Sequence, residues 1–288
     1  MPGASLAAIV ASLHGRCGKT LLARTLVDYF LLSGGRPYIY DTDAVERGLH
    51  VLFPADARVI DLAIVRDQML LFEALAKPSQ QTRIVDVTHR SLTKFFELLR
   101  DTDFILEAQS HDITPVIFYI PDRKLDSFEA GVVLRDNFLN FRFVVVENEF
   151  FREPKRDVSQ RPAYEALRSH RRRFVMPKLA DDVVDVLEDC DLSISDFMRK
   201  PLSSSGETLV PDALPPNMRI ELRGWVFKTF REIHRVVAGL ATDDEPPGDP
   251  GGAPWVADRE DWGPTATLSR PRNIGRRQMI LSRLLSKS

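Results

Sequence analysis

The sequence has few of the residues that would indicate a disulfide scaffold, a zinc centre or a membrane span. Its two cysteines, Cys17 and Cys190, provide no disulfide framework. Its six histidines show no metal-ligand spacing, and no Cys/His cluster accompanies them. No apolar run approaches the length of a membrane-spanning helix. The net charge of −2 predicts no global attraction to nucleic acid or to an anionic membrane, so any such binding needs a local patch.

The apolar run near the start, residues 6–13, is too short for a signal peptide. A charged helical pattern follows it where a cleavage site would be needed. We therefore expect a cytoplasmic protein.

Short β-branched runs alternate with helical patterns, which is typical of a mostly parallel, doubly wound α/β sheet with helices on both faces. The expected strands are 7–12, 37–40, 83–87, 115–120, 142–147 and 173–176, and the expected helices are 19–32, 61–76, 91–108, 124–138 and 180–190. A chain of 288 residues can bury one large core and an extension, and we assign residues 1–200 to the α/β domain.

The composition changes after residue 200 and predicts a C-terminal extension that is helical and partly disordered. Residues 201–218 form a turn-rich linker, and residues 219–240 have the apolar spacing of one amphipathic helix. Residues 241–273 are rich in Pro, Gly and Asp, which predicts disorder. Residues 274–288 form a basic tail with partly amphipathic helical spacing.

The most informative segment lies near the N-terminus. A short apolar run leads into a glycine-containing turn, and Gly18-Lys19-Thr20 then opens a helical pattern. Backbone N–H groups of such a turn and helix N-terminus bind phosphate oxygens. In this motif Lys19 would contact the β and γ phosphates, and the Thr20 hydroxyl would ligate Mg2+. A chance turn is the alternative, but the position between a strand and a helix favours a nucleotide site.

Acidic residues follow the next two predicted strands. Asp41 and Asp43 come just after the second strand, and Asp86 ends the third. Because ligands of open α/β sheets bind at the carboxyl ends of the strands, we expect these acids near the glycine turn. Asp86 would reach Mg2+ directly or through water. The alternatives are a solvated acidic turn for the first two residues and a helix cap for Asp86.

These features together resemble the ParA/MinD family of P-loop ATPases over residues 5–197. The resemblance rests on the loop at 14–20, the Asp41-x-Asp43 pair, Asp86, and Asn148 followed by Pro177. The family loop reads Lys-Gly-Gly-x-Gly-Lys-Ser/Thr, and its first lysine crosses a nucleotide-sandwich dimer. In this chain that position is His14, and the second glycine of the family pattern is Arg16.

The resemblance implies a role for each site residue. Asp43 would position the attacking water and act with Lys19 in catalysis. Thr20, Asp41 and Asp86 would organise Mg2+. The nucleotide would be held by Gly15, Arg16, Cys17, Gly18, Lys19, Thr20, Leu21, Asn148 and Pro177, the last two at the adenine. For Asn148, a place in an ordinary polar turn remains an open alternative.

The resemblance also implies ATP and Mg2+ as cofactors, an ATP-dependent homodimer, and a protein partner that stimulates hydrolysis or senses the nucleotide state. The expected function is a slowly hydrolysing ATP switch in plasmid or chromosome partition, conjugation or spatial positioning. Two alternatives stay open. One is a small-molecule kinase or ligase on the same fold, with an acceptor site near residues 86–91. The other is an ATP-binding scaffold with little hydrolysis, which the absence of the family lysine at His14 favours.

Two basic segments are candidates for other partners. The tail at 274–288 would contact DNA phosphates or an anionic membrane surface, which would place the protein peripherally on the nucleoid or membrane. A frayed tail or a partner-docking helix is the favoured alternative. The run Arg171-Arg172-Arg173 is more typical of a solvated face or a strand edge than of a nucleic-acid contact.

Overall fold

A computed structural model describes residues 5–151, 153–189, 193–194 and 215–242. The segments predicted as a linker, 201–218, and as disordered, 241–273, are described only at 215–218 and 241–242, and the structure has a helix over Pro216–Thr242. The rest of these two segments and the basic tail at 274–288 lie outside the described residues.

The described chain forms a seven-stranded, fully parallel sheet with the strand order β3-β2-β4-β1-β5-β6-β7. The strands are β1 (Ser5–Ala11), β2 (Tyr38–Asp41), β3 (Ala57–Val59), β4 (Arg83–Asp86), β5 (Ile113–Tyr119), β6 (Arg142–Asn148) and β7 (Arg173–Met176). Strand β1 lies at the centre, and all of its residues are buried. The order reverses there, so the segment after β1 lies where this class of sheet binds ligands.

Helices cover both faces of the sheet, as the sequence predicts. They are α1 (Lys19–Leu32), α2 (Gly48–Leu52), α3 (Val65–Ala76), α4 (Leu92–Asp101), α5 (Phe104–Ser110), α6 (Leu125–Asn137), α7 (Arg156–Ser159), α8 (Pro162–Arg168), α9 (Asp181–Asp189) and α10 (Pro216–Thr242). The buried residues form two cores. Residues of α1, α2, α9 and α10 belong to the first core, and residues of α3 to α8 belong to the second. Alternate residues of β1 supply both cores: Ala8 and Val10 face the first, and Ala7 and Ile9 face the second.

Several elements differ from those predicted from the sequence. The helix predicted over 91–108 is two helices, because Asp103 adopts a left-handed conformation with φ 50°. The helix predicted from residue 61 begins at Val65. Residues 61–64 instead turn around Asp61, whose carboxylate accepts the Ala63 N–H and whose carbonyl accepts the Ile64 N–H. Strand β3 and the short helices α2, α7 and α8 were not predicted.

Helix α10 packs against α1 and β7. Its buried face includes Trp225 and Phe230, which join the first core. The Tyr29 hydroxyl lies 2.9 Å from His234 Nδ1, and Trp225 Nε1 donates to the Pro177 carbonyl at 2.7 Å. Within the described residues, no helix combines the length and the apolar character that crossing a bilayer requires.

Candidate functional site

The predicted phosphate loop connects β1 to α1 at the centre of the sheet. Two of its residues have positive φ, Arg16 at 58° and Gly18 at 88°. A Cβ on Gly18 would lie 2.7 Å from Asn148 Nδ2. Both the backbone conformation and the available space at this position therefore favour glycine. Gly15 is also tightly enclosed, since its Cβ would meet the His89 ring at 3.1 Å. Arg16 is exposed at the tip of the loop.

Lys19 is the first residue of α1, and its side chain is almost fully buried. Its Nζ donates a hydrogen bond of 2.8 Å to the His14 carbonyl, across the loop. Burial lowers the pKa of this amine, and the neighbouring Asp86 opposes that shift. An ammonium group has three donors, so the buried amine can bind phosphate oxygens while the loop keeps its shape.

Thr20 and Asp86 form the centre of the candidate metal site. The Thr20 hydroxyl donates to Asp86 Oδ2 at 2.7 Å, although the two residues are 66 positions apart. Burial raises the Asp86 pKa to about 7, and the hydroxyl of Thr20 partly opposes this. Asp86 Oδ1 is buried and accepts no hydrogen bond from any described residue. A hydroxyl beside a buried carboxylate oxygen with no donor is a set of hard oxygen ligands that fits Mg2+.

Asp41 lies beside Asp86, as expected from strand pairing. The two residues are register partners at the carboxyl ends of β2 and β4. Both Asp41 oxygens accept backbone N–H groups: Oδ1 from Asp43 at 2.9 Å, and Oδ2 from Leu49 at 2.9 Å and His50 at 3.1 Å. Asp41 thus anchors the start of α2 beneath the site, and its predicted contribution to Mg2+ remains a prediction.

Asp43 is held in one orientation next to the end of β4. Its Oδ2 accepts the Thr88 hydroxyl at 3.0 Å, and its Oδ1 accepts the Glu46 N–H at 2.9 Å. Arg90 lies 3.8 Å away. Partial burial raises its pKa, but these hydrogen bonds and the Arg90 charge outweigh burial, so the net shift is downward. Asp43 is therefore an ionised, fixed hydrogen-bond acceptor at neutral pH.

The structure also describes the remaining residues that were predicted to contact the nucleotide. Asn148 donates from Nδ2 to the Cys17 carbonyl at 3.1 Å and accepts the Phe150 N–H at 3.0 Å, so its amide supports the phosphate loop. The Pro177 carbonyl accepts Trp225 Nε1. Cys17 is buried, which raises the pKa of its thiol, and Leu21 is half-buried in the first turn of α1. Recognition of adenine by Asn148 and Pro177 remains a prediction.

Sequence reasoning missed the contacts that two histidines make at the site. His89 packs against the loop at Gly15, and His14 contacts two carboxylates that come more than a hundred residues later. Spacing along the chain cannot show such contacts, because they form only when the carboxyl ends of β1, β4 and β5 meet. The basic run behaves as a strand edge: Arg172 is buried, and Arg173 lies 3.8 Å from Glu147.

Neither the protein-family models nor the curated proteins include a match to this chain. Solved structures similar to it include the MinC:MinD cell division protein complex of Aquifex aeolicus, with 15% identity and a TM-score of 0.42 over 77% of this chain and 95% of that one. The MinD cell division protein of Aquifex aeolicus has 13% identity and a TM-score of 0.37 over 77% and 96%. A Cyanothece McdA–ATP complex has 11% identity and a TM-score of 0.40 over 79% and 97%.

Because these identities and TM-scores are low, the fold assignment rests on the strand order, the sheet direction and the loop geometry of this chain. The parallel sheet with helices on both faces confirms the α/β fold class that the sequence predicted.

Proposed function

We propose that this chain binds Mg2+-ATP at the phosphate loop and acts as a slowly hydrolysing molecular switch. The observation that carries the proposal is the Thr20–Asp86 hydrogen bond, together with the donor-free Asp86 Oδ1 at the N-terminus of α1. The loop between β1 and α1 brings Lys19 to the same place. This combination serves a nucleotide phosphate and its metal better than it serves fold stability, since it leaves a buried carboxylate oxygen without a donor.

Each residue has a chemical task in this proposal. The N–H groups at the start of α1 and the Lys19 amine bind the β and γ phosphates and stabilise the charge that develops there. Thr20 and Asp86 hold Mg2+, which neutralises phosphate charge when bound. Asp43 accepts a hydrogen bond from the attacking water and orients it, because Thr88 and Arg90 fix its carboxylate.

The switch itself rests on the sequence resemblance. In this proposal the ATP-bound form is a homodimer, and a protein partner senses that form or stimulates hydrolysis. The cargo is a partition complex, a conjugation apparatus or another positioned assembly in the cytoplasm. The basic tail at 274–288 would add DNA or membrane contact.

One observation favours the alternative of an ATP-binding scaffold with little hydrolysis. His14 occupies the position of the family lysine, and its ring lies 2.8 Å from Asp122 and 3.3 Å from Asp126 of its own chain. A side chain held by two carboxylates in its own chain is less available to contact phosphate in a partner.

Binding of Mg2+-ATP and Mg2+-GTP to the wild type and to Lys19→Ala tests the proposal by calorimetry. We expect the variant to lose at least about tenfold in ATP affinity, since it lacks the buried cation. Lys94→Ala, on the exposed face of α4, is the matched control and should bind as the wild type does. Equal binding by Lys19→Ala, or no binding by the wild type, would refute the nucleotide site.

Hydrolysis and sedimentation of the same proteins separate the switch from the scaffold. A switch hydrolyses ATP slowly but above the Lys19→Ala background and sediments as a dimer with ATP. A scaffold binds ATP without turnover above that background.

A further inference from the structure

Three side chains converge at the outer edge of the phosphate loop. They are His14 in the loop, Asp122 in the turn after β5, and Asp126 in the first turn of α6. Asp122 Oδ2 lies 2.8 Å from His14 Nδ1, and Asp126 Oδ2 lies 3.3 Å from His14 Nε2. One ligand atom from each residue can be chosen so that all three atoms lie within 4.8 Å of one another.

The contact between His14 and Asp122 is close but is not a hydrogen bond. His14 Nδ1 is shielded from solvent and has no aligned partner, although Asp122 Oδ2 is only 2.8 Å away. The carboxylate oxygen therefore lies to one side of the ring N–H direction. Two ligands on one metal ion, each at about 2.1 Å, are about 3 Å apart and are similarly unaligned with each other. The spacing of His14 Nδ1 and Asp122 Oδ2 is compatible with two neighbouring ligands of one ion. Asp126 lies beside the other ring nitrogen, Nε2, so its exposed side chain has to turn toward Nδ1 to complete the site.

The two inner ligands are held in place before any ion binds. The Lys124 N–H donates to Asp122 Oδ1 at 2.8 Å, and the Asp122 N–H donates to Ser127 Oγ at 3.0 Å. The Lys19 amine fixes the His14 backbone through its carbonyl. Such supporting contacts orient ligands and strengthen metal binding. Asp126, with 59% of its side chain exposed, keeps the outer side of the cluster open to solvent.

We propose that His14, Asp122 and Asp126 bind a divalent first-row transition-metal ion such as Zn2+ or Co2+. An imidazole nitrogen favours these ions over Mg2+ and Ca2+, and two carboxylates balance the charge of the ion. Water fills the remaining positions on the exposed side. The site is separate from the Thr20–Asp86 pair, and it joins the phosphate loop to the turn between β5 and α6.

Metal binding to the full chain without nucleotide and without a histidine tag tests this inference. Protein stripped of metal is titrated with Co2+, followed by visible absorbance, and with Zn2+, followed by calorimetry. We expect about one ion per chain and retention of that ion in excess Mg2+. Because the assay contains no ATP, its outcome is independent of whether the nucleotide proposal holds.

Two variants identify the ligands. His14→Ala and Asp126→Asn should each weaken binding at least about tenfold, and Asp126→Asn changes an exposed side chain that the fold does not need. His111→Ala is the matched control, because His111 faces Glu107 at 3.8 Å and belongs to no described three-ligand cluster. Absence of stoichiometric binding, or binding unchanged in both variants, overturns the site and leaves an ordinary His–Asp ion cluster.

Discussion

Gly18 is the residue at which the loop geometry is most demanding. Its φ of 88° is unfavourable for any residue with a Cβ, and that Cβ would lie 2.7 Å from Asn148 Nδ2. We expect Gly18→Ala to lower the free energy of unfolding by about 1–3 kcal/mol and to weaken ATP binding, because Asn148 must leave the Cys17 carbonyl. Urea denaturation and calorimetry measure the two effects.

Gly224→Ala is the control for Gly18→Ala, and its expected effect on the free energy of unfolding has the opposite sign. It lies within α10, and a Cβ there would meet nothing within 4 Å. Gly224→Ala should therefore stabilise the protein by up to about 1 kcal/mol through helix propensity. If Gly18→Ala behaved like Gly224→Ala, the left-handed loop conformation would be wrong.

For individual residues, the sequence could predict which of them form the site better than it could predict what they contact. Asp86 and Asp43 lie where parallel strands end, so the strand pattern was sufficient to place them near the loop. It could not show that Asp41 would use both oxygens for backbone N–H groups, or that Asn148 would support Cys17. Those contacts depend on the conformation of loops, and the sequence of a loop has no periodic pattern from which its conformation could be predicted.

Among the elements, α3 and β4 are joined by one buried cation. Arg83 is fully buried, and its Nε donates to the Ala74 carbonyl at 3.0 Å near the end of α3. Its guanidinium also reaches the Lys77 carbonyl and the Ser5 hydroxyl at the start of β1. The cation therefore satisfies carbonyl groups at the end of a helix, which cannot bond within that helix.

Arg83→Met should lower the free energy of unfolding by about 2–4 kcal/mol, because buried carbonyl groups lose a charged donor. The matched control is Arg100→Met on α4. Arg100 is 72% exposed and only approaches Asp101 at 3.7 Å, so its loss should cost less than about 0.5 kcal/mol. Denaturant midpoints of the two variants decide the matter, and equal values would contradict the proposed role.

Elements were predictable where they carry a long apolar pattern. Strands such as β1 and β5 are buried on both faces and stand out as apolar runs. Strand β3 has three residues, and α2 and α7 have five and four, so none contains enough of a period to be recognised. The break at Asp103 was missed because the apolar spacing continues through it, while a single left-handed residue changes the helix direction.

At the scale of the whole molecule, the structure shows that α10 packs against α1 and β7, which the sequence did not predict. Its helical spacing was readable, but its position depends on contacts such as Tyr29 with His234 and Trp225 with Pro177, which link distant parts of the chain. Helix α10 thereby joins the core that backs the phosphate loop.

Global stability should also depend on pH through His170, which packs edge-on against Phe143. Burial lowers the His170 pKa, and the charge on Arg135 lowers it further, while the backbone hydrogen bond to Arg172 opposes the shift. Between the lowered His170 pKa of the folded chain and the ordinary value of 6.5, the unfolded chain therefore binds more protons than the folded chain. The free energy of unfolding has its full His170 contribution above that pH and falls as the pH drops through it.

The comparison between wild type and His170→Gln isolates this contribution, since glutamine does not titrate. Buried Asp86, with its pKa raised to about 7, changes stability in the opposite direction, but it is common to both proteins and cancels in the difference. We expect the wild type to lose more thermal stability than His170→Gln between pH 7.5 and pH 5.5. His111→Gln, on the surface after α5, should follow the wild type. Parallel losses in all three proteins would show that His170 takes up its proton equally in the folded and unfolded chains.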